Sequence, residues 1–196
     1  ALSGTIAGGE DNIAIGNGAL EALTSADGTI AIGFEAGHAV TTDGGGSIFI
    51  GKFAGHDITT GHSNMMIGEF AGDGFDTEAH NMGIGRGAFG GAVAGGEYNV
   101  AIGNFSLDAL TSGDNNTAVG YQAGTAITTG SSNTIVGADA AEAMTEGHSS
   151  VIIGQNAGAA LTTGNSVVFV GQAAGDGHDT ETNNLAVGRA ALGGAV

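Results

Sequence analysis

Short apolar triplets recur along the chain, each closed by a glycine: Ile13-Ala14-Ile15-Gly16, Ile30-Ala31-Ile32-Gly33, Ile48-Phe49-Ile50-Gly51, and so on to Leu185-Ala186-Val187-Gly188. The closing glycines stand at 16, 33, 51, 68, 85, 103, 120, 137, 154, 171 and 188, a spacing of 17 residues with two steps of 18. The residue before each glycine is always Ile or Val, and Ala follows three places after it in every unit except the one with Ser106. Seven places after it most units carry a larger apolar residue: Leu23, Val40, Ile58, Phe75, Leu110, Ile127, Met144 and Leu161. No segment shows the 3.6-residue periodicity of a helix. Repetition at a fixed short period is the mark of a solenoid. The pattern predicts an all-β fold: a β-solenoid (β-roll) of about eleven 17-residue coils. Each coil is expected to carry two short strands, for example Thr117–Val119 and Ala126–Thr129. Parallel coils about 4.8 Å apart would build a rod about 50 Å long.

Which face of the strand turns inward matters for function. The first and third residues of each triplet point the same way, and the middle one points oppositely. With the bulky first and third residues assigned to the interior, the middle row points outward: Ala14, Ala31, Phe49, Met66, Gly83, Ala101, Ala118, Ile135, Ile152, Phe169 and Ala186. None is polar, and an apolar stripe of that length is not left in water. It is expected to be the interface between chains, the alternative being a flattened coil that buries the row within itself.

A slower repeat overlies the fast one. The stretch from Gly8, GGEDNIAIGNGALEALTS, returns from Gly95 as GGEYNVAIGNFSLDALTS, and AGDGFDTEAHNMGIGRGAFGGAV from Ala71 returns from Ala174. The whole chain, 1–196, is therefore expected to be one solenoid in two long-repeat blocks, 1–94 and 95–196. Residues 1–6 match 88–93 and 191–196, as in a segment of a longer array. The two 18-residue steps each need one extra residue, expected in the Asp43-Gly44-Gly45-Gly46 turn and between Gly90 and Tyr98.

Composition narrows the function classes. Gly is 40 of 196 residues without the every-third-residue period of collagen, and apolar residues make up 41%, too many for a disordered chain. Three basic residues (Lys52, Arg86, Arg189) face 20 acidic ones, for a net charge of −17. Such a surface repels phosphate backbones and anionic lipid, so neither nucleic acid nor membrane insertion is expected. An acidic surface keeps a long apolar rod soluble. There is no cysteine to report on redox compartment.

The unit NTAVGYQAG at Asn116, with its variants NIAIGNGAL, NVAIGNFSL and TIAIGFEAG, resembles the repeats of phage tail-fibre proteins. It is also similar to the N-S-V-A-I-G repeat of trimeric autotransporter adhesin heads, a left-handed β-roll. The resemblance covers residues 8–196. In those heads three parallel rolls associate through the strand face that leaves the coil core. The resemblance thus implies a parallel homotrimer with the row Ala14, Ala31, Phe49, Met66, Ala101, Ala118, Ile135, Ile152, Phe169 and Ala186 inside it. It implies no catalysis by these repeats, and an enzyme is not expected.

Three groups of polar residues are candidates for chemistry. Asp73, Asp76 and Glu78, repeated as Asp176, Asp179 and Glu181, place three carboxylates within six residues, a set of oxygens suited to Ca²⁺. The plain alternative is a solvated acidic corner. Threonine pairs (Thr41-Thr42, Thr59-Thr60, Thr128-Thr129, Thr162-Thr163) form a hydroxyl row of the kind found on ice-binding solenoids, although Thr also suits strands for its β-branch alone. Asn12, Asn64, Asn81, Asn99, Asn116, Asn133 and Asn184, with Thr29, Ser47 and Ser150 substituting, are expected to be a structural ladder from coil to coil. Among the six histidines, His38 and His56 share one repeat position, which allows them to stack on adjacent coils, close enough for a metal; the plain alternative is solvated surface histidines. The pattern favours a structural segment of an extracellular or virion-surface fibre, a tail fibre or adhesin shaft serving attachment. Its partners would be its own copies, laterally or end to end, and a host-surface receptor. The alternative is a Ca²⁺-binding or ice-binding solenoid.

Overall fold

The computed structural model describes residues 9–42, 45–91 and 96–194. Eleven three-residue strands run in chain order: β1 Ile13–Ile15, β2 Ile30–Ile32, β3 Ile48–Ile50, β4 Met65–Ile67, β5 Met82–Ile84, β6 Val100–Ile102, β7 Thr117–Val119, β8 Thr134–Val136, β9 Val151–Ile153, β10 Val168–Val170 and β11 Leu185–Val187. They form one sheet in sequential order, every pair parallel and in register, so that Ala118 faces Ile135 and Thr117 faces Thr134. The all-β solenoid and its turn of about 17 residues are therefore as the pattern predicts.

Among the described residues each coil has one strand where two are expected. Around Ala126–Thr129 the chain turns and bends. The amides of Thr128 and Thr129 both donate to the carbonyl of Thr145, at 2.9 and 3.4 Å. Two donors converging on one acceptor is corner geometry and cannot propagate a ladder. The threonine hydroxyl adds a second bond there: Thr128 Oγ1 donates to the Thr145 carbonyl at 3.2 Å, and Thr111 Oγ1 to that of Thr128 at 2.9 Å. These hydroxyls tie one coil to the next, which accounts for the first Thr of each pair.

The strand-closing glycine is required twice over. Its φ lies between 121° and 147° in all eleven coils, a region L-residues avoid. A Cβ on Gly137 would also lie 2.5 Å from the carbonyl oxygen of Gly154 in the next coil. The two long steps are absorbed outside the strands. The amide of Gly46 reaches back 19 residues to the carbonyl of Asp27, one more than the equivalent bond from Ser63 to Gly45. That puts the first extra residue at the expected glycine turn, of which Asp43 and Gly44 lie outside the described residues. Asn81 Nδ2 reaches Gly96 O across 15 residues where Asn99 reaches Gly113 across 14. This puts the second extra residue between Asn81 and Gly96, in agreement with the Gly90–Tyr98 expectation, and residues 92–95 of that stretch are likewise outside.

Strand orientation is the main correction. The middle row points into the coil, not out of it: Ala31, Phe49, Met66, Ala101, Ala118, Ile135, Ile152 and Phe169 are fully buried within the single chain and Ala186 nearly so, while Ala14 is half-buried in the end coil. These residues are core and cannot form a surface between chains. The physical reason is room. A coil of 17 residues is thin, and its interior takes one strand side chain per level, together with the Ala three places after the glycine and the apolar residue seven places after it.

The interior is filled by a size exchange between the strand centre and the residue six places later. Phe49, Met66 and Phe169 are matched with Gly55, Gly72 and Gly175, whose hydrogens face the ring or thioether. At three small centres the partner is large: Ala101 with Leu107, Gly83 with Phe89 and Ala186 with Leu192. At Ala31 with Gly37 and Ala118 with Gly124 both are small, and side chains of the adjacent coils fill the space, Phe49 and Leu20 beside Gly37, Ile135 and Leu107 beside Gly124. Volume is thus shared within and between levels, as close packing demands. Beside this core runs the asparagine ladder. The amides of Asn81, Asn99, Asn116 and Asn133 donate to the Oδ1 of the preceding Asn at 2.8–3.1 Å. Their Nδ2 groups close the coil onto a carbonyl, as Asn116 does onto Gly130 at 2.8 Å. Among the described residues no buried side-chain polar atom lacks a partner.

Candidate functional site

Turning the middle row inward turns the two flanking rows outward. The exposed side of the sheet carries Ile13, Ile30, Ile48, Met65, Met82, Val100, Thr117, Thr134, Val151, Val168 and Leu185 in one row. Ile15, Ile32, Ile50, Ile67, Ile84, Ile102, Val119, Val136, Ile153, Val170 and Val187 make the other. Twenty of these 22 side chains are apolar, and among the described residues no acidic or basic side chain lies in a strand. Neighbours along each row cover the side chains partly in the middle, while at the ends Ile15, Leu185 and Val187 are 58%, 68% and 67% exposed. A parallel sheet is normally covered on both faces. Here one face lacks its cover.

The face is not level. A depression of about 280 Å³ lies along the start of β3 to β6, between Ile48, Met65, Met82, Val100 and the ring of His80. The two borders of the strand face differ in character. All three basic residues directly follow a strand glycine and so stand on one border. Lys52 Nζ is 3.6 Å from Glu69 and lies over the rings of Phe53 and Phe70, and Arg86 Nε reaches Glu69 at 3.5 Å. Phe34, Phe53 and Phe70 pack ring on ring, at 5.4 and 5.2 Å between centroids. On the other border His80 stacks on Tyr98 at 4.9 Å. An apolar centre edged by aromatic and polar groups is the anatomy of a protein interface.

The remaining candidates are placed elsewhere on the coil. In the first acidic corner Glu78 is turned inward, 4% exposed, and its Oε2 accepts the amide of Asp76 at 2.7 Å. Asp76 accepts the hydroxyl of Thr59. In the second, Glu181 accepts the amide of Thr180 at 3.1 Å, and hydrogen bonds from its own amide and that of Thr180 hold it below the usual carboxylate range. Asp179 takes the Thr180 hydroxyl at 3.4 Å. The carboxylates of Asp73, Asp76, Glu78 and of Asp176, Asp179, Glu181 are thus not gathered round a common point, and among the described residues no three acidic or histidine side chains form a group able to hold a metal ion. His38 and His56 do stack, with ring centroids 5.0 Å apart and 8° between planes. His56 Nε2 lies 3.3 Å from Glu35 and its Nδ1 2.6 Å from Asp57; His38 lies 3.7 Å from Glu21.

Burial, then the charge of Asp57, pushes the Asp73 carboxyl up from the ordinary 3.8, against the opposing pull of His56. A carboxyl raised in the fold holds its proton more tightly there than in the unfolded chain. Stability is therefore lost as pH rises through the shifted value, and nothing is lost below the ordinary one. Asp73→Asn is expected to raise the melting temperature at neutral pH, with the gain fading below pH 3.8. Melting curves by circular dichroism at both pH values check this; an equal gain at both would dismiss the charge as the cause.

Comparison with protein-family models, curated sequences and solved structures finds no match to this chain. The outer strand face was missed in the sequence because both choices of inward row are apolar. The signal that would have found it is the size exchange six residues apart, since only residues sharing an interior need to compensate for one another's volume.

Proposed function

We propose that the protein is a structural segment of an extracellular or virion-surface fibre, in which three parallel copies pack their outer strand faces about a common axis. The observation that carries this is the uncharged apolar face running through all eleven strands. It is about 50 Å long and about 10 Å wide, from strand spacing and rise per residue. Two such faces in contact cover about 1,000 Å², the lower bound for a specific interface. The chain carries a net charge of −17, and among the described residues its charged side chains lie outside the strands, where like charges oppose contact between copies. A second copy is therefore the occupant the face suits best. The resemblance to tail-fibre and adhesin-head repeats adds the threefold, parallel arrangement. The rod contributes reach and stiffness to attachment, and its acidic corners stay in water. A host receptor would meet those corners or a neighbouring tip.

Sedimentation equilibrium tests the assembly. The wild-type chain is expected at three times its 18.8 kDa mass. Ile67→Lys combined with Ile102→Lys, which puts like charges on the facing surfaces, is expected to give a folded monomer. A wild-type chain that remains monomeric at high concentration overturns the proposal.

A further inference from the structure

The two borders of the strand face carry opposite charge and opposite relief. Lys52, Arg86 and Arg189 put all the basic residues of the chain on the border that follows the third row. Lys52 and Arg86 share a single carboxylate, Glu69, which leaves that stretch with an excess of positive charge. The border that precedes the first row carries Glu10, Asp11, Asp27, Glu97 and Asp114 and no basic residue. Relief differs as well. Phe34, Phe53, Phe70 and Phe105 form a ridge just after β2, β3, β4 and β6, with Lys52 over the rings of Phe53 and Phe70 and Arg86 over that of Phe105. Beside the first row lies the hollow of about 280 Å³ along β3 to β6, edged by Ser63 and His80. Ridge and hollow thus occupy the same levels of the rod on opposite borders.

Resting on the self-association just proposed, we infer that the joint between copies is unlike to unlike: the aromatic, basic border of one copy seats in the hollow on the acidic border of the next. This joint belongs to one direction of assembly. Copies related by rotation about an axis along the rod bring the third row of one against the first row of the next. Every joint then pairs a basic border with an acidic one, and the contact closes into a ring. Copies running in opposite directions bring like borders together instead. Acidic faces acidic, with Glu97 of each copy level with Glu97 of the other when all eleven strands overlap, and the basic residues are kept away from the acidic border. The hollow separates the two arrangements too. In level, parallel copies Phe53 and Phe70 stand at the levels of Ile48 and Met65, beside the hollow. Lys52 is then one coil, about 4.8 Å, from the level of Asp27, and Arg86 one coil from that of Glu97. In the antiparallel overlap the hollow lies mostly under Asn115, Ser132 and Ser149, which are too short and polar to fill it. Charges at the edge of an interface act on orientation more than on affinity, and here the apolar face supplies the affinity.

The chain has neither cysteine nor tryptophan, so introduced ones report without background. Ser149 and Gln155 are exposed on the two borders of a single level, at either end of β9. Ser149→Cys with Gln155→Cys, treated with a bis-maleimide of about 10 Å reach, the spacing of packed sheets, is expected to yield covalent trimers. Only links between copies raise the covalent mass, and either substitution alone is expected to raise it little. Ser63→Cys with Ser132→Cys, which the antiparallel overlap would bring together, is expected to stay unlinked. Phe70→Trp is expected to shift its emission to the blue as the protein assembles on concentration, because the ring enters the hollow. Three results each overturn the inference and leave self-association standing: linkage of the Ser63 and Ser132 positions, failure to link the Ser149 and Gln155 positions in an assembled protein, or a tryptophan emission that does not move on assembly. A monomer mass for the wild type, with neither pair linked, overturns self-association as well.

Discussion

Gly55→Leu is expected to unfold the coils around β3 and β4, and adding Phe49→Ala to that variant is expected to restore them. The Phe49 ring fills the interior level that Gly55 leaves open, and a Cβ at Gly55 would lie 2.5 Å from ring atom Cε1. Overpacking of this kind costs about 1–3 kcal/mol and more for a whole side chain. Phe49→Ala alone opens a cavity at a cost of about 3–5 kcal/mol. Adding the two losses would give a total comparable to the whole stability of a domain. The double variant, however, reproduces the pairing of β6, where Ala101 is matched with Leu107, and that of Ala186 with Leu192. Backbone conformation does not stand in the way: φ is 59° at Gly55 and 50° at Leu107. The left-handed region costs a non-glycine residue about 1 kcal/mol. The double variant should therefore lose only about 1–2 kcal/mol, dominated by that strain. Denaturant melts of the four proteins measure the coupling directly. Strictly additive losses would show that the two positions do not share one interior level.

The second large effect separates the two sides of the strand. Ala118→Asp is expected to abolish the fold, because Ala118 is fully buried in the apolar core of the coil. Enclosing an unpaired polar or charged group of this kind costs several kcal/mol. Ile102→Asp, on the outer face of the neighbouring strand, is expected to keep the wild-type far-UV spectrum and to lose only self-association, since its carboxylate stays in water. Far-UV circular dichroism together with sedimentation on both variants reads the outcome. A folded Ala118→Asp with an unfolded Ile102→Asp would reverse the orientation of the sheet.

Much of the architecture is legible in the residues themselves. The glycine period sets the coil length and the number of strands, because only glycine accepts both the φ and the close approach to the next coil. The asparagine row announces its ladder, since an amide repeated every coil has the next amide as its nearest partner. The stacking of His38 on His56 follows from their shared place in the repeat. Tertiary structure alone decided three things. It replaced the second strand by a corner, because Thr128 and Thr129 direct their amides to one carbonyl. It dispersed the acidic corners, whose carboxylates cap local backbone and hydroxyl groups, as in Glu78 and Glu181. And it chose which apolar row faces inward. Alternation along a three-residue strand leaves two choices that are both apolar, and the bulkier Ile and Val rows look the better core when only hydrophobicity is read. Volume breaks the tie: the thin interior accepts Ala118 or Gly83 at the strand centre, or Phe49 where Gly55 makes room, and leaves the paired Ile and Val rows outside.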